Sequence, residues 1–289
     1  MNTTRIISRL DIKGPNLVKG VHLEGLRVLG NPKLFVEQYY NDGIDEIIYM
    51  DTVASLYGRN DLVEFINHTA ESIFVLLTVG GGVRSLDDIS NLLQAGADKI
   101  AINTAAVNNP QLIYEAASKF GSQCIVVSIE AKKRGSSEWE CFTDNGREST
   151  GIDVLKWAKQ IYNLGGGEIL LTSIDSEGTG MGFDIELTKN VSETVSIPVI
   201  ASGGCGNKEH VLKVLNEGKA DAIAVASIFH YEKLQKLIHN FSNKDYVEGN
   251  LNYIQDFIDG KSIGRKNIEP TSILGLKMFL NENNFCIRL

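Results

Sequence analysis

Two short segments of this chain end an apolar run in one carboxylate, with a lysine two residues on: Leu10-Asp11-Ile12-Lys13 and Ile129-Glu130-Ala131-Lys132. Burying a carboxylate at the end of an apolar strand costs free energy, so such residues are usually kept for chemistry. Two acids in equivalent positions could divide proton transfer, one donating and one accepting. Asp11 and Glu130 are the candidate catalytic pair.

Other chemistries find less support. His22, His68, His210, His230 and His239 stand singly, and Cys124, Cys141, Cys205 and Cys286 show neither a CxxC motif nor zinc spacing. No metal and no organic cofactor are expected. The net charge of −8 argues against nucleic-acid binding. No apolar stretch reaches membrane-spanning length and no leader precedes the first strand, so a cytoplasmic protein with reduced thiols is expected.

The elements that must carry the acids are read from periodicity. Short β-branched runs lie at 6–10, 46–50, 75–79, 99–102, 125–129, 168–171, 199–201 and 222–225. Helical patterns separate most of them, opened by Asn31-Pro32, Ser85 and Asn109-Pro110 and stopped near Gly43, Gly96 and Gly218. Strands alternating with helices give a parallel sheet, and eight of them close a (β/α)8 (TIM) barrel. Val79-Gly80-Gly81-Gly82 through Ala97-Asp98-Lys99 resembles Ala201-Ser202-Gly203-Gly204 through Ala220-Asp221-Ala222, displaced by about 120 residues. Residues 1–289 therefore read as one barrel domain built from two (β/α)4 half-barrels, with Asp11 and Glu130 facing each other across its mouth.

Each half also carries an anion device at strand ends. Gly80-Gly81-Gly82 and Asn103-Thr104 mark one half, Gly203-Gly204 and Ala226-Ser227 the other. Glycines let the backbone approach an anion and expose N–H donors. A lone glycine pair reads better as a tight turn, but the symmetric repetition implies a substrate with a phosphate at each end.

These motifs, with Val18-Lys19-Gly20, Asn103-Thr104-Ala105-Ala106 and Phe120-Gly121-Ser122-Gln123, resemble the cyclase subunits of imidazole glycerol phosphate synthases, barrels of histidine biosynthesis. The likeness runs from Arg5 to about His230 and resumes near Ser272. The resemblance implies a heterodimer with a glutaminase subunit, whose ammonia crosses the barrel. There it attacks a bis-phosphorylated ribulosyl formimino substrate, giving imidazole glycerol phosphate and an aminoimidazole carboxamide ribotide. It implies Asp11 and Glu130 as the acid–base pair, and Lys19 on a loop that closes over substrate. Gly82, Asn103 and Thr104, and Gly178, Gly203, Gly204, Ala226 and Ser227, become substrate and phosphate contacts. It implies an ammonia gate of Arg5, Glu46, Lys99 and Glu168 on the opposite face, with Asp98 toward the partner.

The chain departs from that pattern where the family writes Asp: Glu130, and Glu177 before Gly178-Thr179. Each change pushes a carboxylate out by roughly 1.5 Å. Shortening Glu130 to Asp is therefore expected to speed the family reaction. About 35 extra residues, near 237–270, are expected between strand eight and its helix on the catalytic face. Within them 251–258 has a short helical pattern, and Lys261, Arg265 and Lys266 could bind an anion or a second protein. Deleting 243–266 is then expected to impair turnover or assembly. Arg9-Leu10-Asp11, residues 55–60 and Ile129-Glu130 also resemble barrels of surface-polysaccharide pathways, such as lipopolysaccharide synthesis, where ammonia passes to a third, sugar-amidating protein. A non-catalytic conduit or scaffold is a further alternative.

Overall fold

Strand and helix alternate around a closed barrel in a computed structural model that describes residues 3–53, 62–240 and 267–288. The first half contains β1 (Arg5–Lys13), β2 (Asn16–Val21), β3 (Glu24–Gly30), α1 (Pro32–Asn41), β4 (Glu46–Asp51), α2 (Leu62–Ser72), β5 (Leu76–Gly80), α3 (Leu86–Gln94), β6 (Lys99–Ile102), α4 (Thr104–Asn108) and α5 (Gln111–Phe120). The second contains β7 (Ile125–Gly135), β8 (Glu138–Thr143), β9 (Glu148–Asp153), α6 (Val154–Asn163), β10 (Glu168–Ser173), α7 (Ile185–Thr194), β11 (Val199–Ser202), α8 (Lys208–Asn216), β12 (Ala222–Val225), α9 (Ser227–Asn240) and α10 (Ile273–Glu282).

The wall runs β1-β4-β5-β6-β7-β10-β11-β12, all parallel, and closes where Arg5 of β1 pairs with Ala222 of β12. This is the expected eight-stranded barrel. Period-two alternation splits the apolar residues into two shells. Ile7, Ile48, Val126, Leu170 and Ile200 cluster inside the bore, while Ile6, Ile47, Val127, Ile169 and Val199 pack outward with the helices.

Four strands lie beyond the expected eight. β2 and β3 extend antiparallel from β1, and β8 and β9 extend from β7 in the same way. Their signal was available in the alternation Glu138-Trp139-Glu140-Cys141-Phe142, where Trp139, Cys141 and Phe142 are buried. Both excursions leave the wall beside a candidate acid: Asp11 pairs with Val18, and Glu130 with Phe142.

The helix signals behave as read. Asn31 caps α1 through Lys33 N, and Ser85 forms a reciprocal capping box with Asp88. The repeated Asp before a strand has a structural cause. Asp45, Asp98 and Asp221 each accept the N–H of a neighbouring strand residue, Ile6, Leu77 and Val199 respectively, at 2.8–2.9 Å. These bonds pin adjacent strands in register at the barrel floor.

The extra segment is placed differently from the expectation. α9 follows β12 at once, so the segment joins α9 to α10 and does not separate strand eight from its helix. Residues 241–266, with the 251–258 pattern and Lys261, Arg265 and Lys266, lie outside the described residues, as do 55–60. The returning chain at 267–271 seats on the second half: Glu269 N donates to Gly206 O at 2.7 Å, and Thr271 N to Ile228 O at 3.1 Å.

Candidate active site

The inward positions of β1 are Arg5, Ile7, Arg9 and Asp11, so one strand carries charge at its floor, an apolar layer, then charge again at the mouth. Asp11 and Glu130 are only 5% and 7% exposed, and both border the mouth. Glu130 Oε2 accepts the Gly146 amide at 2.7 Å, from the turn between β8 and β9. Burial raises Glu130 from the ordinary carboxylate value to about 7. Arg9 and the Gly146 N–H pull that value down, while Asp11 and Asp144 push it up. A carboxyl poised there can hold or release a proton near neutrality.

Asp11 has a different environment. Its Oδ1 accepts from Arg9 Nε at 2.9 Å, and the guanidinium continues to Thr172 Oγ1 at 2.9 Å and Ser202 Oγ at 3.3 Å. Burial opposes the charge on Arg9, but Asp11, Glu177 and Glu130 offset it and its pKa is raised overall. The two candidate acids thus differ: one is ion-paired, the other is largely desolvated. Such a separation of environments suits a base and an acid in one site.

Lys19 lies on β2 and is buried in an ion pair with Glu177, which follows β10. Burial alone would raise Glu177, but Lys19 and Arg9 hold it below the ordinary value. The β2–β3 hairpin is fastened over this corner by further contacts. His22 N donates to Glu177 O at 2.8 Å, and His22 Nδ1 to Ile174 O at 2.9 Å. Leu23, Phe142 and Ile174 close a small apolar cluster that joins both excursions. Gly178 has φ +75°, and a Cβ there would lie 2.4 Å from Gly20 O. Its glycine permits the loop to meet the hairpin.

The first-half anion device lines a cavity of about 310 Å³ that also reaches Glu130, Asn145 and Arg84. Gly82, Asn103 and Thr104 all border it. Asn103 Nδ2 donates to Phe142 O at 3.3 Å and Thr104 Oγ1 accepts from Asp144 N at 3.1 Å, so β8 and the turn that follows it shape the wall. In the second half Gly203 and Gly204 take φ +95° and +96°, and Gly204 O accepts Gly182 N at 2.7 Å. Ser227 is buried at the start of α9, immediately after Ala226.

At the opposite end Arg5, Glu46, Lys99 and Glu168 form one ring. Arg5 Nη1 lies 2.8 Å from Glu46 and 3.1 Å from Glu168, and Lys99 Nζ lies 3.1 and 3.2 Å from the same two carboxylates. Thr78 Oγ1 also donates to Glu46 at 2.7 Å. Glu46 is fully buried, so this floor is closed by paired charge. Beside it opens a groove of about 860 Å³ lined by Arg5, Phe74, Leu76, Asp98 and Arg288 among others. Phe74 on its rim is 80% exposed.

A model of the family described as histidine biosynthesis protein matches residues 5–235. The chain belongs to this family. Within it, the imidazole glycerol phosphate synthase subunit HisF of Legionella pneumophila is 64% identical over 209 residues, 72% of this chain and 99% of that relative. The match spans all eight strands of the wall, so the floor ring, both glycine devices and both mouth acids fall within the family's own region.

The structure places Asp11, Glu130 and Lys19 toward the mouth and the ring of Arg5, Glu46, Lys99 and Glu168 at the floor. The contacts of Arg9 with Asp11, Thr172 and Ser202, and of the Gly146 amide with Glu130, were not expected from the sequence. Arg9 carried one readable signal, a cation at an inward position of an apolar strand. Among the described residues no group of three or more His, Cys, Asp or Glu side chains is arranged to hold a metal. Nor is any helix there long and apolar enough to cross a membrane. Tyr39 Oη lies 2.7 Å from His230 Nδ1, which places that histidine in the α1–α9 packing.

Proposed function

We propose that the chain is the cyclase subunit of a glutamine-dependent imidazole glycerol phosphate synthase, with Asp11 and Glu130 moving protons at the barrel mouth. The observation that carries this reading is the asymmetric acid pair at equivalent ends of β1 and β7, in a chain 64% identical to a subunit of that name. Ammonia attacks the formimino carbon of the bis-phosphorylated substrate. Glu130, poised near neutrality, donates a proton to the nitrogen that departs as the carboxamide ribotide. The new nitrogen then condenses with the ribulosyl ketone, whose oxygen leaves as water, and Asp11 accepts a proton from that nitrogen as the imidazole ring closes. Gly82, Asn103 and Thr104 take one phosphate; Gly178, Gly203, Gly204, Ala226 and Ser227 serve the other end. Holding both ends fixes the reacting atoms between the acids.

A glutaminase subunit docks on the opposite face. The exposed Phe74 and the adjoining groove supply an apolar seat, and the ring of Arg5, Glu46, Lys99 and Glu168 lies beside it as the ammonia gate. Asp98 belongs to the same rim, although its carboxylate also serves Leu77 N.

Purified protein given the formimino substrate and ammonium salt at alkaline pH should form imidazole glycerol phosphate, and Asp11→Asn should abolish it. No product from the wild type would sink the cyclase reading, and unchanged product from Asp11→Asn would remove Asp11 from the catalytic pair. A second reading rests on the likeness of Arg9-Leu10-Asp11 and Ile129-Glu130 to barrels of surface-polysaccharide pathways: a paralogous barrel that passes ammonia to a sugar-amidating protein. That reading predicts no imidazole product, yet glutaminase binding and loss of ammonia transfer in Lys99 variants.

A further inference from the structure

We propose that Arg9 is a positioning residue for proton transfer, fixing the Asp11 carboxylate and biasing which of the two mouth acids carries the proton. The proposal deepens the cyclase reading and rests on it for the reaction, though not for the electrostatics.

Arg9 is 3% exposed and points into the bore between Ile7 below and Asp11 above. Three elements hold its planar fork: Nε donates to Asp11 on β1, and Nη1 donates to Thr172 on β10 and Ser202 on β11. The layer beneath is apolar, formed by Ile7, Ile48, Leu170 and Ile200. A guanidinium buried over such a layer is expensive, and an apolar side chain would fill the space at less cost. Its retention therefore calls for a function, and its geometry supplies one. Thr172 and Ser202 fix the guanidinium plane, and that plane fixes the Asp11 oxygen that receives it.

The charge also reaches the rest of the site. Arg9 lowers Glu130 and Glu177, while Asp11 and Asp144 act on Glu130 in the opposite sense. Lys19 balances Glu177, and the neutral Gly146 amide donates directly to Glu130. His230 from α9 is held far below its usual value, chiefly by burial, so it adds no positive charge near neutrality. Asp51 and Arg84 border the Glu130 cavity. Arg9 is thus the cation that acts on Asp11, Glu130 and Glu177 together.

The test uses full-length Arg9→Met and Arg9→Lys. Carboxyl 13C NMR, with the Glu130 signal assigned through Glu130→Gln, follows Glu130 titration without requiring turnover. Arg9→Met should move its midpoint upward by at least half a pH unit, and the limb of the ammonia-driven rate profile set by Glu130 should move upward with it. Arg9→Lys keeps the charge but loses the fork. Its Glu130 midpoint should stay near wild type, while kcat falls at least tenfold with KM within twofold. An unmoved midpoint in folded Arg9→Met, or wild-type kcat in Arg9→Lys, overturns the proposal. If Arg9→Met does not fold, the Arg9→Lys kcat decides. If the wild type itself forms no product, the cyclase reading fails and the NMR midpoints still judge the role of Arg9 in the proton balance.

Discussion

Glu130 Oε2 and the Gly146 amide, 2.7 Å apart, join a mouth carboxyl on β7 to the turn between β8 and β9. The longer side chain reaches this donor, whereas Asp at the same position would fall short by roughly 1.5 Å. This reverses the expectation drawn from family likeness. Glu130→Asp should slow ammonia-driven turnover on the order of tenfold or more, because the acid loses its anchor. A faster variant in steady-state assays would show that the added methylene is a handicap.

Glu130 should also make stability fall as pH rises. Its folded value of about 7 lies above the unfolded value of about 4.5. Below pH 4.5 both states are protonated and no penalty exists. Between 4.5 and 7 the unfolded chain releases the proton first, so folding is progressively disfavoured, by on the order of 3 kcal/mol above pH 7. Glu130→Gln should therefore raise the midpoint of urea unfolding at pH 8 and change it little at pH 4.5. An equal gain at both pH values would assign the effect to packing.

The pair Lys19–Glu177 should show the opposite pH dependence. Glu177 is held below its ordinary value, so its contribution is present above about pH 4.5 and is lost as acid protonates the folded state. Glu177→Gln should cost most stability near pH 7, with the difference from wild type shrinking below pH 4 in chemical denaturation. If Lys19 also closes the hairpin over substrate, Lys19→Met should raise KM more than it lowers kcat.

At the floor, Lys99→Met would leave Glu46 and Glu168 with Arg5 as their remaining cation. Glu46 is wholly buried, so the loss should cost about 3–5 kcal/mol in unfolding free energy. In a complex with glutaminase, glutamine-driven turnover should also fall relative to ammonium-driven turnover. A stable variant with an unchanged ratio would remove the gate role.

Gly178→Ala tests the hairpin seat. The added methyl group would meet Gly20 O at 2.4 Å in a backbone conformation that favours glycine. Stability should fall by about 1–3 kcal/mol and hydrogen exchange of 16–30 should quicken. Protection unchanged from wild type would show that the loop tolerates the methyl group.

Much of this molecule was legible because the relevant signals are local. Strand runs, the Asn31 and Ser85 caps and the glycine-rich turns depend on neighbours within a few positions. Asp11 and Glu130 stood out for the same reason, since each ends its own apolar run. The excursions β2–β3 and β8–β9 were missed because they interrupt the strand–helix alternation with hairpins.

What the sequence determined by itself was the period, the repeat and the identity of the mouth acids, since each is encoded in residues close together. Only the tertiary structure decided what those acids experience. Arg9 meets Thr172 and Ser202 across 163 and 193 positions, and Lys19 meets Glu177 across 158. Closure of the barrel creates those contacts and removes water around them, and with water removed, charge partners set protonation. For that reason Asp11 and Glu130, alike in the chain, occupy different electrostatic environments in the fold.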